Sequence, residues 1–195
     1  MKIFLLLCEM DFSLVLSIFL GLGLSSAVGF RIFVPALITS AAAYFGKIEL
    51  AEGMMWMGSL PALVTFGAAT VLEIGAYYIP VVDNVLDAVA APAAAICGTL
   101  LMGSTIVEME PLIKWPISVI AGGGMAAAVH TGSASVRAAS TGLTAGLGNP
   151  VVSTVETIIA TILSILSIVL PIAAAVVIVW LIVKIIKRRR TKQLA

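Results

Sequence analysis

The chain has 195 residues, 61% of them hydrophobic and only 11% charged, and its mean hydropathy is +1.18. A soluble domain of this length needs a far more polar surface, so the composition excludes an ordinary soluble protein and predicts one integral membrane domain. The formal net charge of +1 provides no general basic field, which argues against nucleic-acid binding.

The first apolar stretch, residues 12–45, follows a short leader. Acidic residues interrupt the apolar run of residues 1–11, so this run is shorter than the roughly 7–15 residues of a signal-peptide core. The stretch itself is too long for one span of about 20 residues and too short for two spans with a loop. Because Gly29, Arg31 and Pro35 interrupt it, we expect a broken helix or a re-entrant hairpin.

Two better delimited spans follow a polar loop. The second span covers residues 60–79 and carries Glu73 in its interior. A short polar turn with Asp83 and Asp87 separates it from a third span at residues 88–107. Each of these stretches has the length that a bilayer-crossing helix requires, about 20 residues.

A fourth stretch begins at the interfacial Trp115, continues through a glycine run to His130 and Arg137, and ends near Asn149. The last span, residues 155–186, is longer than a bilayer requires and contains a proline. We therefore expect it to tilt or kink.

A basic tail, residues 187–195, follows the last span directly. By the positive-inside rule it predicts a cytoplasmic C-terminus for a multi-pass protein of the cell (inner) membrane. Contact with anionic lipid is the alternative role of this basic cluster. The predicted fold class is all-α: one polytopic transmembrane helix bundle over residues 12–186, with about five membrane segments plus broken or re-entrant helices.

Two stretches of the sequence share a similar pattern, which predicts an inverted repeat of residues 12–107 and 115–186. Each copy has a small-residue helix, a break at an arginine followed by a short helix, and a span with one glutamate. These are residues 21–28, Arg31 and Glu73 in the first copy, and residues 122–129, Arg137 and Glu156 in the second. Transporters with such repeats bind substrate at broken helices near the midplane. The alternative is a chance match, since small residues are abundant here and simply allow close helix packing.

Three stretches carry a family resemblance. They are Gly29-Phe30-Arg31-x-Phe33-x-Pro35, then Glu73…Ile79-Pro80-x-x-Asp83-x-x-Leu86-Asp87…Pro92, and finally His130…Arg137…Ser140-Thr141…Gly148-Asn149-Pro150…Glu156. In combination they resemble the bacterial membrane-protein family catalogued as domain of unknown function 4126, over roughly residues 14–171. The resemblance implies a multi-pass membrane protein and supplies no activity.

The candidate solute- or ion-binding residues are polar residues within the membrane segments and in the turns that join them. A charge buried in a span costs about 2.5–3.5 kcal/mol and so faces protein or water. They are Arg31, Glu73, Asp83, Asp87, His130, Arg137, Ser140, Asn149 and Glu156. Glu73 could couple a proton or cation, or form a buried ion pair or packing hydrogen bond. The arginines could bind a carboxylate or phosphate, or neutralise Glu73 or Glu156. Ser140 would belong to a polar lining around Arg137.

The other candidates have competing structural roles. Asp83 and Asp87 are four residues apart and share a helix face, where they could cap the helix or form a cation site at the mouth of a pathway. His130 is the single histidine, so it cannot build a zinc site by itself; it is a packing residue or a proton relay. For Asn149, which precedes a proline, the first interpretation is a turn and the start of a helix.

Signatures of enzymes are missing from the sequence, which predicts no catalytic activity, no metal and no cofactor. One hypothesis is a small transporter or channel with a polar midplane site for an anionic solute or a lipid headgroup, coupled to protons. The alternative is a non-transporting scaffold or accessory subunit whose buried charges pair for structural reasons. A polar cavity that reaches Arg137 or Glu73 would distinguish the two. Expected partners are membrane lipids and an unidentified small solute or ion, and the small-residue helix faces permit a homo-oligomer.

Overall fold

The computed structural model describes residues 12–171, and small and aliphatic residues form most of its helices. Its α-helices are α1 (Phe12–Val28), α2 (Phe33–Tyr44), α3 (Leu60–Ala76), α4 (Pro80–Thr105), α5 (Pro111–Ile117), α6 (Gly124–Thr144) and α7 (Asn149–Val169). A 3₁₀ helix, Glu52–Gly58, precedes α3, and a π-helical segment, Ser118–Gly123, joins α5 to α6. These elements confirm the all-α class. The predicted leader and basic tail lie outside the described residues.

Prolines and a hydroxyl cap set most of the helix starts. Pro80, Pro111 and Pro150 stand in the first turn of their helices, where a missing N–H costs no hydrogen bond. The hydroxyl of Ser59 accepts a hydrogen bond from the first turn of α3 at 3.3 Å. After α6 the chain turns through Gly146, whose φ of +87° is readily adopted by glycine.

Two helices are long and apolar enough to cross a membrane, namely the continuous 34-residue helix Pro111–Thr144 and Asn149–Val169. The pair Glu52–Gly58 and Leu60–Ala76, bent by 67°, forms a third candidate if both parts belong to one span. The other apolar helices have only 10–17 residues: Ser13–Val28, Phe33–Tyr44 and Val89–Thr105. The predicted number of about five spans is therefore not confirmed.

The two segments of the candidate repeat differ at their arginines. The predicted broken helix of residues 12–45 is present, because α1 ends before Arg31 and α2 begins after it. Pro35, in the first turn of α2, favours a helix start at this place. At Arg137 the expected break is absent, since α6 continues through it without interruption. No proline lies nearby to stop the helix, and the internal repeat is not confirmed.

Glycines allow α4 to pack directly against the π-helical segment. A Cβ atom added to Gly122 would lie 2.6 Å from the carbonyl oxygen of Gly98 and 2.5 Å from Cβ of Met102. A Cβ atom on Gly98 would lie 2.7 Å from the carbonyl oxygen of Gly122. The two backbones are thus in contact, as small-residue crossings of membrane helices require.

The last described helix, α7, is polar inside and apolar outside. Its buried residues include Ser153, Glu156, Ser164 and Ser167. Its exposed aliphatic residues follow one another at alternating spacings of four and three: Val151, Val155, Ile158, Ile162, Ile165 and Val169. Such a continuous apolar outer face favours lipid as the surroundings of this helix. The inner face of α7 packs against α1 and α2, where the charged residues meet.

Candidate functional site

The break between α1 and α2 places Arg31 inside the protein, with a side chain that reaches one face of α7. Its Nε donates a hydrogen bond to Oγ1 of Thr157 at 3.0 Å, and its Nη2 donates to the carbonyl oxygen of Ser153 at 2.9 Å. Nη2 also donates to the hydroxyl of Ser153 and lies 3.5 Å from Oε2 of Glu156. Arg31 is only 1% exposed, and its Nη1 has no hydrogen-bond partner in the described part of the chain.

Glu156 of α7 is the shared anion of the site. Its Oε2 lies 3.0 Å from Nη1 of Arg137 in addition to the contact with Arg31. Its Oε1 accepts a hydrogen bond from the hydroxyl of Ser133, which stands one turn before Arg137 on α6. One carboxylate therefore joins the helix break, α6 and α7, and its side chain is 5% exposed. Charge-assisted hydrogen bonds of this kind are about twice as strong as neutral ones.

Tyr77, directly after α3, lies beneath both guanidinium groups. The Cζ atoms of Arg31 and Arg137 lie 3.9 Å and 4.7 Å from the centre of its ring. Cation–π attraction of about 0.5–2 kcal/mol per pair offsets part of the repulsion between two like charges. The ring is 4% exposed, so it also separates the arginines from solvent on this side.

Glu73 acts as a helix cap supplied by another helix. Its Oε1 accepts a hydrogen bond from the backbone N–H of Ile32 at 2.7 Å, and its Oε2 accepts one from Phe33 at 3.0 Å. The N-cap residue of α2 is Ile32, whose side chain cannot bond to these amides. A carboxylate at a helix N-terminus also interacts favourably with the helix dipole. In the described structure Glu73 thus forms hydrogen bonds between helices, one of the roles that the sequence left open, and its partners are backbone amides.

The remaining polar candidates on α6 and α7 lie beside this cluster. His130, Ser133 and Arg137 share the buried face of α6, and Nε2 of His130 has no hydrogen-bond partner among the residues described. Asn149 is buried at the start of α7 and donates to Oγ1 of Thr141 at 2.9 Å. Ser140 is half-buried, one turn beyond Arg137.

The predicted pair of aspartates has a known backbone position only. Asp83 and Asp87 lie in the first two turns of α4. They are one helical turn apart, as expected, but their side chains lie outside the described part of the structure. No cap or cation contact is therefore assigned to either residue.

Four residues of the site were not among the candidates predicted from the sequence, namely Tyr77, Ser133, Ser153 and Thr157. Helical spacing contains a signal that could have identified Tyr77 and Ser153. Tyr77 follows Glu73 by four residues, and Ser153 precedes Glu156 by three, so each lies on the same helix face as its glutamate.

A cavity of about 210 Å³ lies away from the charged cluster. It is lined by Ser17 of α1, by Ile48 and Glu49 of the loop after α2, and by Thr105 and Glu108 at the end of α4. None of the charged cluster residues lines it. Within residues 12–171, no group of three His, Cys, Asp or Glu side chains could hold a metal ion.

Comparison with known proteins gives one match. The family described as Domain of unknown function (DUF4126) matches residues 18–190 of the chain. No curated protein and no solved structure shows significant similarity to it.

Proposed function

We propose that this chain, which belongs to the family described as Domain of unknown function (DUF4126), is a small integral membrane transporter. Its solute site would be the cluster of Arg31, Arg137 and Glu156 beside the break between α1 and α2. The observation that carries the proposal is a helix broken at a buried arginine, with a second buried arginine sharing the same carboxylate.

The energetic cost of this arrangement supports a functional role. An ionised side chain within a membrane segment costs about 2.5–3.5 kcal/mol on insertion scales. Arg31, Glu73, Arg137 and Glu156 are all at most 8% exposed. Hydrophobic residues of similar volume would stabilise a purely structural core at least as well as buried ion pairs do. In transporters, the free ends of helices that are broken within the membrane bind charged solutes, and Arg31 lies at such a break.

The solute we propose is an anion, either a free solute or the headgroup of a lipid. Guanidinium groups bind carboxylate and phosphate groups through two parallel hydrogen bonds. Because the cluster is packed against Tyr77 and none of its residues lines the 210 Å³ cavity, a solute would need an opening motion to reach it. Transport would require α7 to move relative to the break, and His130 or a glutamate would carry the coupling proton.

The second candidate, a non-transporting scaffold or accessory subunit, is favoured by two observations. The 210 Å³ cavity does not reach Arg137 or Glu73. Each described charge in the cluster already has a partner in the chain: both arginines contact Glu156, and Glu73 caps α2. In this case the cluster would only fix the positions of α2, α6 and α7. The two proposals differ in whether water and solute ever reach Glu156.

We also propose the membrane arrangement. The pair α1–α2 would form one broken segment, followed by α3, α4, the continuous α5–α6 helix and α7, which gives five segments in the inner membrane. The basic tail would keep the C-terminus in the cytoplasm. Lipids would be the immediate partners, and the small-residue faces would allow a second copy to associate.

Transport is tested with protein reconstituted in liposomes. Uptake of radiolabelled inorganic phosphate, of small carboxylates and of fluorescent phospholipids is measured under a proton gradient. We expect uptake of one of them, and Arg137→Gln to reduce that uptake at least about tenfold, the effect of losing about 1.4 kcal/mol of binding. The matched control is Lys47→Gln, which removes an exposed cation from the loop after α2, outside the cluster.

Solvent access provides a second measurement. Ser133→Cys, in a background with Cys8 and Cys97 replaced by alanine, is treated with a membrane-impermeant thiol reagent. For a transporter we expect slow modification that becomes faster when the transported solute is present. A thiol that stays unmodified in liposomes under every gradient, together with an absence of uptake, would leave the scaffold as the function.

A further inference from the structure

The N-terminus of α2 is occupied by an internal carboxylate. Both oxygens of Glu73 accept backbone N–H groups there, from Ile32 and Phe33, at 2.7 Å and 3.0 Å. The amides at the start of a helix, together with the helix dipole, form a general anion-binding site. With twelve residues, α2 is long enough for a substantial dipole. The carboxylate of Glu73 therefore occupies a position at the start of α2 where an anionic ligand could bind.

A second observation points to a ligand at the same place. Arg31 directly precedes the two amides, is 1% exposed and has an Nη1 without a hydrogen-bond partner in the described structure. Its guanidinium lies 3.9 Å from the centre of the Tyr77 ring, and Tyr77 follows Glu73 by four residues at the end of α3. A buried N–H without an acceptor is unfavourable, so an acceptor oxygen within reach of Nη1 would stabilise the protein.

The charge balance also fits exchange of one anion for another. Arg31, Arg137, Glu73 and Glu156 together carry no net charge when all are ionised. If Glu73 leaves the α2 amides, the residues that remain carry a surplus of one positive charge. One monoanion at the amides and Nη1 restores the balance, and no second counter-ion is needed.

We infer that the α2 N-terminus and Arg31 form the binding site for the carboxylate or phosphate group of the transported solute. Glu73 is the internal carboxylate that fills this site in the empty protein and leaves it when the solute binds. Glu156 stays on both arginines and keeps the site assembled. The inference rests on the proposed transport function for its physiological meaning, whereas anion binding itself is measurable without transport.

The test is rescue of a vacated site by added anions. The Glu73→Ala protein is purified in detergent, and its Tm is measured with formate, acetate or inorganic phosphate, against gluconate at equal ionic strength. An anion at about ten times its Kd should raise the Tm by roughly 3–6 °C in a chain of this size. The wild type should shift by less than about 1 °C, because Glu73 competes from within the chain.

Glu108→Ala is the matched control. Glu108 is an exposed glutamate that accepts a hydrogen bond from Ser13 and lies outside the cluster, so its removal should create no anion-dependent shift. If Glu73→Ala does not fold, Glu73→Ser, whose side chain is also too short to fill the site at the α2 amides, is measured in the same way. The inference would be overturned by a folded Glu73 variant whose Tm responds no more to the small anions than to gluconate, and no more to phosphatidylglycerol than to phosphatidylcholine.

The lipid arm identifies the source of the anionic group. The same variants are measured in mixed micelles with phosphatidylglycerol or with phosphatidylcholine. A shift with formate or phosphate points to a free solute, and a shift with phosphatidylglycerol alone points to a headgroup; both support the shared chemistry. Anion binding without uptake into liposomes would contradict transport and leave the site intact. Uptake that is unchanged in Glu73 variants, with no anion-dependent shift, would contradict the site alone.

Discussion

Replacement of Gly122 by alanine should destabilise the protein, whereas replacement of Gly124, two residues later, should not. Both glycines have right-handed helical surroundings, so alanine removes the same backbone flexibility at each position. An added Cβ at Gly122 meets Cβ of Met102 at 2.5 Å and the carbonyl oxygen of Gly98 at 2.6 Å. At Gly124 nothing lies within 4 Å of the added atom.

The magnitude follows from these distances. Ordinary carbon contacts lie near 3.5–4.0 Å, so α4 and the π-helical segment would have to separate by about 1 Å at their crossing. The obstructing atom of Gly98 belongs to the backbone, and rotation of a side chain cannot relieve the clash. Overpacking costs about 1–3 kcal/mol, while the gain in helix propensity, about 1 kcal/mol, is common to both substitutions. Gly122→Ala should therefore have a Tm roughly 2–12 °C below that of Gly124→Ala.

The assay is thermal unfolding of purified protein in one detergent, followed by the intrinsic fluorescence of its tryptophans. Gly98→Ala should behave like Gly122→Ala, because each added Cβ meets the carbonyl oxygen of the other residue. Equal Tm values for Gly122→Ala and Gly124→Ala would refute the direct backbone contact between α4 and the π-helical segment.

Two further predictions concern the charged cluster. Glu156→Gln keeps the shape of the side chain and leaves two buried guanidiniums without their shared counter-charge, so we expect it to lower the free energy of unfolding by about 3–5 kcal/mol. The exposed Glu108, changed in the same way, should alter it by less than about 0.5 kcal/mol in the same denaturation assay. Arg31→Lys keeps the charge but loses the planar group over Tyr77 and the Nε hydrogen bond to Thr157, and should cost about 2–3 kcal/mol. A lysine variant as stable as the wild type would show that charge alone matters at this position.

Much of the fold could be predicted because it depends on local sequence. Apolar runs gave the helical class, and the interruption around Gly29 and Pro35 gave the break between α1 and α2. The prediction of a break at Arg137 was wrong, because glycine and serine are tolerated in a helix when packing supports it. They are tolerated in this way in α6, which continues through Arg137. The number of spans could not be predicted, because hydropathy does not show where a helix bends. The 67° bend before α3 is such a case.

The site was predicted in its composition but not in its pairing. Buried charges are costly in a membrane, so Arg31, Arg137, Glu73 and Glu156 could be identified from their types and positions. Which carboxylate meets which arginine depends on tertiary packing, which brings Glu156 to Arg31 across 125 positions of the chain. Tyr77 was missed for a related reason, since an aromatic residue at the end of an apolar run is typical of the membrane interface.

Of the three charged residues that meet at the shared carboxylate, Glu156 leaves the ribosome last. Arg31 is synthesised 125 residues earlier and Arg137 nineteen residues earlier, as their sequence separations show. During membrane insertion the first helices must therefore hold an arginine whose final counter-ion does not yet exist. The early helices would stay loosely associated at the translocon until α7 arrives, and truncation before Glu156 should leave a fragment that the cell degrades. The last described helix would then act as the step that commits the chain to its assembled form.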